Sequence, residues 1–482
     1  LIYNNINIDV YKFISVNETQ NETPNTTQLI TLSNITPENM IYIGKTASWT
    51  RELKFLNYPK FLSGDVLQTI VVDKYVNNTL YVRNYVIQKK VKINDFETIK
   101  SLIFNTSVFL INVDNKTPEI SLDKFKSMWF NSCNCSNPKC DCTNTMQSYV
   151  DKCSWGKASL SPDKGYNQIV DLLKYPMPAY GRTAYSNITY NTTLQCGFIE
   201  MYAYQEWAQK KYEDIHGKGS LDKYRQRIVV MPFNNCPWYG TGSQGCLGKY
   251  CYIWVRGDRV NFLNTYFHEL GHNINLQHSG TSSWEYGDCS CAMGCSSDRG
   301  CFNGPTSIRA GWAVLIANYT NVQVGKWYSH VIPPLEKNMK NTVRFDLNWT
   351  NVTNARYYLS MRAKVGYDAK LDDKFFGKIS VHYSQANNIY DFFKTNLITT
   401  IAPGSKYNDT VNGIIISFIR MTRQRNAQVS FCRFSKTYIT KNDCKNNFDS
   451  DCNGIIDGKE SICKITLESI IRKIKNYNIF RI

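Results

Sequence analysis

Three of the chain's six histidines, His268, His272 and His278, fall within eleven consecutive residues. No other stretch of the sequence restricts its own fold as tightly. His268 and His272 are four apart on a predicted helix over 259–274, so both imidazoles leave one face at a separation that suits a single metal ion. Glu269 lies beside the first of them, where it can contact a water on that ion without being a ligand. The helix cannot run on to His278, because six further residues do not return that side chain to the same point; the backbone must first turn sharply. Asn275 sits where the turn is expected, and Asn is the non-glycine residue that best tolerates left-handed backbone. Three neutral imidazoles leave a tetrahedral Zn2+ one open position for water, as in a catalytic rather than a structural site. Such an ion acidifies the water and polarises a carbonyl, with Glu269 passing the proton to a leaving amine, so the chemistry implied is peptide-bond hydrolysis.

The pattern H-E-x-x-H-x-x-G-x-x-H followed by a Met-turn marks the metzincin metallopeptidases. This chain matches it with His268, Glu269, His272 and His278, and Met293 in Cys291-Ala292-Met293-Gly294 is the Met-turn residue. Asn275 stands where that pattern has glycine. More narrowly, HELGHNINLQHS followed by Trp284-Glu285-Tyr286-Gly287-Asp288-Cys289-Ser290 resembles the gametolysin family. Further matching features are Lys152-Cys153-Ser154-Trp155-Gly156-Lys157 upstream, and Phe302-Asn303-Gly304-Pro305 with Gly311-Trp312 downstream. A fainter echo is Tyr357-Tyr358-Leu359-Ser360 with Arg362 and Gly366-Tyr367-Asp368. The resemblance implies a metzincin-like catalytic domain with the zinc helix at the floor of a cleft. It also implies a peptide substrate bound as an added strand on a sheet edge, for which 249–255 is the candidate. Met293 would form an apolar base under the zinc, and the substrates implied are extracellular-matrix or cell-wall glycoproteins. Many metzincin precursors are held latent by a prodomain cysteine, but the first cysteine here is Cys133, so that route would need a segment outside this chain. Tyr286 and Tyr266 are candidate phenols near the reaction centre, with packing the preferred reading for each.

At 482 residues the chain has room for roughly three domains at about 150 residues each. The fold class expected is multidomain α+β. Residues 1–104 read as an Asn/Thr/Glu-rich lead-in to about 30, then a small all-β domain whose runs 65–75 and 79–88 form a hairpin. Residues 105–320 read as a mixed α/β zinc domain, with strands at 107–113, 227–231 and 249–255. Its helices are expected at 122–130, 145–154, 201–216, 259–274 and 305–317. Short strands separated by turns then indicate a β-sandwich over 321–435. Residues 436–482 hold a Cys-rich calcium loop and a basic helix at 466–477. In that loop Asp449, Asp451, Asn453, Asp457 and Glu460 occupy positions 1, 3, 5, 9 and 12 of an EF-hand pattern, with Gly454 at 6 and the Ile455 carbonyl at 7, so a structural Ca2+ is expected.

Seventeen cysteines in tight groups fit a disulfide framework and an oxidising compartment, with an odd one left over. For Cys289, Cys291, Cys295 and Cys301 disulfides are preferred to a second zinc. Asn-x-Ser/Thr sequons at Asn17, Asn21, Asn25, Asn105, Asn187, Asn191, Asn318, Asn348 and Asn408 point the same way. No apolar run reaches the 18 or so residues that span a bilayer, and the N-terminal residues lack a signal-peptide pattern, so a secreted, trimmed product is expected. The net charge of +17 is scattered, which argues for a solvated surface and against a nucleic-acid site. Arg256-Gly257-Asp258 is read as a turn. A rival from another class is an extracellular adhesion or glycan-binding protein with a catalytically inactive zinc-domain scaffold. Intact Glu269 argues against it, since a scaffold has no need of that carboxylate.

Overall fold

The computed structural model describes residues 2–15, 40–45, 50–55, 65–76, 79–89, 102–130, 144–193, 196–232, 236–246, 249–296, 300–385 and 394–463. The sequons at Asn17, Asn21 and Asn25, the turn at Asn77-Asn78, Cys133, Cys135, Cys140 and Cys142, and the expected helix at 466–477 lie outside them. The chain divides into two compact units, 1–312 with 386–396, and 313–385 with 397–482.

The N-terminal strands of the first unit are β1 (Ile2–Ser15), β2 (Met40–Lys45), β3 (Thr50–Phe55), β4 (Val66–Val76) and β5 (Thr79–Lys89). They follow the order β2-β3-β5-β4-β1, and β2 also pairs with β1, which closes the five into a small barrel. Closure removes the exposed edges that a lone five-stranded sheet would present. Leu53, Leu67, Ile70, Val72, Leu80 and Val82 form its core. The expected hairpin is present, with Val76 opposite Thr79 across β4 and β5. The lead-in expected over residues 1 to about 30 is corrected for its first half. Ile2, Ile6, Ile8 and Val10 alternate with polar residues at a strand period, a signal masked by the Asn-rich composition.

Past the short β6 (Leu102–Ile103), the sheet continues through β7 (Thr106–Val113), β9 (Gln168–Met177), β12 (Gln226–Val230), β13 (Trp238–Ser243) and β14 (Cys251–Val255). The combined ten-stranded order runs β2-β3-β5-β4-β1-β13-β14-β12-β7-β9, so strands on both sides of position 104 share one sheet. β9, β7, β12 and β14 are mutually parallel, while β13 runs antiparallel to β14. Parallel neighbours need crossover connections, and helices α1 (Leu122–Trp129), α2 (Met146–Cys153) and α3 (Phe198–His216) lie within them. Two short pairs complete the connections: β8 (Ala158–Ser159) with β6, and β10 (Tyr180–Arg182) with β11 (Thr189–Asn191). Phe109, Ile111 and Val113 of β7 join Met201, Ala208 and Tyr212 of α3 in one core. Val108 and Leu110 alternate with them and are equally buried, so both faces of this strand are covered. The candidate docking edge at 249–255 is also corrected: β14 is interior, flanked by β13 and β12. Its continuous apolar run is what a strand buried on both sides requires.

Helix α4 (Leu263–Asn273) follows, then β15 (Ser279–Gly280), which pairs with Thr395-Asn396, and α5 (Gly304–Arg309). The helix expected at 305–317 is shorter than that. Gly311 takes φ +72°, and the apolar run after it leaves the helix to begin β16 (Val314–Tyr319).

In the second unit β16 pairs with β18 (Lys340–Asp346), followed in the same sheet by β19 (Ala355–Met361), β20 (Ile379–Gln385) and the part of β21 (Thr395–Ile401) from residue 397 on. A second sheet has the order β17 (Trp327–Ile332), β24 (Ala427–Arg433), β23 (Ile414–Met421) and β22 (Lys406–Asp409). Phe345 of the first sheet stacks on Phe431 of the second with centroids 4.4 Å apart, and Tyr328 stacks on Phe431 from its own sheet. Two antiparallel-rich sheets thus meet across an aromatic core.

Arg362 and Asp368, singled out in the sequence, meet in the second unit. The buried Arg362 guanidinium lies 3.2 Å from Glu336 and 3.1 Å from Asp368. Burial, then the hydrogen bond with Asp368, holds the Glu336 carboxyl well above the usual range. Removing the cation leaves two carboxyl groups facing each other in a dry site, which typically costs about 3–5 kcal/mol. Arg362→Met is therefore expected to lose about that much unfolding free energy, read as a lower urea midpoint at unchanged m-value, and an unchanged midpoint contradicts the assignment.

Candidate metal centre

Helix α4 ends in a specific hydrogen-bonded turn. Asn275 adopts φ +64°, its N–H donates to the His272 carbonyl at 2.9 Å, and the Leu276 N–H donates to the Gly271 carbonyl at 3.0 Å. This is the paired closure of a Schellman cap, with Asn where Gly is most common. The buried Gln244 secures it by donating to Asn275 Oδ1 at 3.0 Å. The turn reverses the chain and returns His278 to the face that carries His268 and His272.

The ligand atoms of the three buried histidines all lie within 4.8 Å of one another. His268 Nε2 and His272 Nε2 are 3.1 Å apart. Two nitrogens on one tetrahedral zinc, each at 2.0–2.1 Å, would be about 3.3 Å apart, so the donor set and its spacing fit that ion. Each imidazole is oriented through its other nitrogen. His268 Nδ1 meets the Ala292 carbonyl at 2.7 Å, His272 Nδ1 the Leu276 carbonyl at 2.8 Å, and His278 Nδ1 the Glu285 carboxylate at 2.7 Å. Such partners place the N–H on Nδ1 and leave Nε2 as the donor.

Glu269 is fully buried, and its carboxylate oxygens have no hydrogen-bond partner among the described residues. It lies against β13 at two glycines: a Cβ on Gly240 would come within 2.7 Å of Oε1, and one on Gly242 within 3.0 Å of Oε2. Burial pushes its carboxyl well above the ordinary glutamate range. A cation held by the neighbouring imidazoles acts in the opposite sense, favouring the carboxylate.

Met293 packs beneath the helix, where a Cβ on Gly271 would sit 2.5 Å from its sulfur. The surrounding loop is fixed by Asp288, whose two oxygens accept from Ser279 Oγ, Asn303 Nδ2, and the N–H and Oγ of Ser290. Disulfides Cys289–Cys295 and Cys153–Cys301 tie the loop to itself and to α2, so three of the four clustered cysteines are bridged as expected and Cys291 is not. Cys291 is buried, its sulfur accepting the Asn303 N–H at 3.2 Å. The outlying motif residues also converge here. Phe302 stacks on Phe267 and Trp312, and Lys157 donates to the Gly311 carbonyl.

Tyr286 rests on His278 with ring centroids 4.1 Å apart. Tyr266 faces away, its hydroxyl donating to the Val260 carbonyl among Phe125 and Trp129. Arg256 pairs through two bonds with Asp258 and donates to the Cys236 carbonyl, so the tripeptide they bracket is a turn tied to itself. In the calcium segment Asp449 accepts from the N–H groups of Asn453 and Gly454, and the Asn453 side chain joins Asp451 and Glu460. Ile455 is exposed, whereas Asp457 turns inward to accept from Ser450 and Asn446.

Sequence reading missed Gln244, Gly240 and Gly242, and it quoted Glu285 within the family motif without giving it a role. Only the Gly-x-Gly within a strand offered a signal, since glycine there marks a close approach. Glu285 supplies the sole carboxylate among the three Nδ1 contacts given above, and loss of such a partner commonly costs 10–100-fold in metal affinity. Glu285→Ala is expected to weaken zinc binding by about that factor in a chelator-competition titration; unchanged affinity would make the contact incidental.

The model of the gametolysin peptidase M11 family matches residues 71–410. Autolysin of Chlamydomonas reinhardtii is 27% identical over 292 residues, which cover 50% of this chain and 46% of that protein. The match thus spans about half the length of this curated relative. The matched family segment contains α4, the Asn275 turn, His278 and the Met293 loop, and the chain belongs to the gametolysin peptidase family.

Proposed function

We propose that this peptidase is a zinc-dependent endopeptidase of metzincin type. The observation that supports this most is the convergence of three oriented imidazoles beside a buried, unpartnered Glu269. When bound, zinc supplies an electrophile for the scissile carbonyl and an acidified water. Glu269 accepts a proton from the attacking water and delivers it to the leaving amine nitrogen. Its dry position against Gly240 and Gly242 keeps bulk water from competing for that proton. His268, His272 and His278 hold the ion, and the Nδ1 contacts keep their rings from rotating. Met293 supports the helix from below. The side of β13 away from β14, where the end of β1 now pairs, is the docking edge for an extended peptide once that pairing is released.

Secretion and extracellular glycoprotein substrates are part of this reading. Six disulfides among the described residues and the exposed sequon residues Asn318, Asn348 and Asn408 support secretion, and the substrate class rests on the family resemblance. The segment 449–460 is proposed to bind Ca2+ through Asp449, Asp451, Asn453, Glu460 and the Ile455 carbonyl. Gly454 at φ +100° and the Asn453 and Gly454 N–H groups on Asp449 support that loop form. Asp457, counted among the ligands in the sequence reading, is left out of this set because its carboxylate accepts from Ser450 and Asn446 instead.

Purified protein should hydrolyse casein or gelatin, with activity lost on zinc chelation and reduced by at least a hundredfold in Glu269→Ala at unchanged zinc content. Zinc-loaded protein that cleaves no member of a broad peptide library overturns the reading. Millimolar Ca2+, but not Mg2+, should raise the melting temperature, and Glu460→Gln should abolish that shift; an equal response of both proteins removes calcium from the account.

A further inference from the structure

β13 is where the two parts of the ten-stranded sheet meet. Its inner edge pairs with β14, Gly240 opposite Val255 and Gly242 opposite Ile253. Its outer edge is occupied by the end of β1: Tyr11 lies opposite Ser243, Lys12 opposite Gly242, Phe13 opposite Thr241 and Ser15 opposite Trp238. The glycines that leave room for Glu269 thus belong to the strand that β1 covers. An incoming peptide needs that same row of backbone N–H and C=O groups.

β1 is held at its other end. Residues 2–7 pair with β4 and residues 7–12 with β2, inside the closed barrel. Phe13 to Ser15 project beyond the β2 pairing and contact β13 alone among the paired strands, with a register break between them. A short strand tethered in this way has a high effective concentration at the edge, yet few ladder bonds to break before it leaves. Its register break weakens that hold further.

We infer that Tyr11 to Ser15 act as an intramolecular occupant of the docking edge, so that the N-terminal barrel holds the peptidase latent by strand occupancy. The inference rests on the proposed function above for its consequence, though not for the pairing itself. A substrate strand must displace this segment, and the apparent affinity for substrate is reduced by the fraction of molecules in which the edge is filled. No cysteine is required.

Phe13→Pro removes a backbone donor at a position paired with β13 but not with β2, and so loosens the arm while sparing the barrel. Two readouts apply. A fluorescently labelled peptide of residues 9–17 is expected to bind Phe13→Pro at least tenfold more tightly than the parent, with faster amide hydrogen exchange confined to β13. In parallel, KM for a fluorogenic peptide should fall at least tenfold at similar kcat, and the unlabelled 9–17 peptide, but not a scrambled one, should compete. Equal peptide binding to both proteins, or β13 exchange that does not change, overturns strand occupancy. Tighter peptide binding with unchanged KM places substrate elsewhere and overturns latency. Should neither protein hydrolyse any substrate, the peptidase reading fails, while the binding and exchange arms still decide the occupancy. If Phe13→Pro does not fold, Phe13→Gly with Ser15→Gly weakens the same segment without deleting a donor.

Discussion

The centre depends on a reversal of the chain within three residues of the end of α4. Two histidines one helical turn apart define a line, and a third donor fixes a point only if the backbone doubles back. Asn275 achieves this in left-handed conformation, held by the 5→2 and 6→1 bonds of the cap and by Gln244, the residue after β13. Left-handed backbone costs Asn less than other side-chain-bearing residues, so the replacement of the family's glycine leaves the turn intact. Asn also adds what glycine lacks, a side-chain carbonyl for Gln244 to grip.

Close approaches around that turn account for the small residues nearby. Gly271 brings Met293 against the helix from one side, and Gly240 and Gly242 let Glu269 lie flat against β13 from the other. Asp288 gathers Ser279, Ser290 and Asn303 into one buried cluster, so the loop carrying Met293 is hydrogen-bonded to the strand following His278. The disulfide from Cys153 to Cys301 adds a covalent limit over a separation of 148 residues.

Much of this was legible in the sequence because the signals are local. The spacing of His268, His272 and His278 announced a helix followed by a turn, and apolar runs marked β7, β12 and the sandwich strands. What stayed hidden was set by distant partners. The apolar run of β14 fits a strand covered on both faces, but which strands lie along its two edges follows only from its pairing with β12 and β13. Glu285 stands in the family motif, but its role shows only when the fold brings it to His278. β1 was obscured for a different reason: asparagines fill its polar positions, and average composition suggested a lead-in where period-two alternation indicated a strand. The helix expected to reach 317 failed because Gly311 ends it and β-branched residues follow.

The central claim is that one zinc ion sits among His268, His272 and His278. Anomalous diffraction collected on either side of the zinc absorption edge tests it without reference to activity. The account predicts a single strong peak at about 2.1 Å from the Nε2 atom of each histidine. Its absence from zinc-loaded crystals, or a peak elsewhere with the three imidazoles empty, would contradict it.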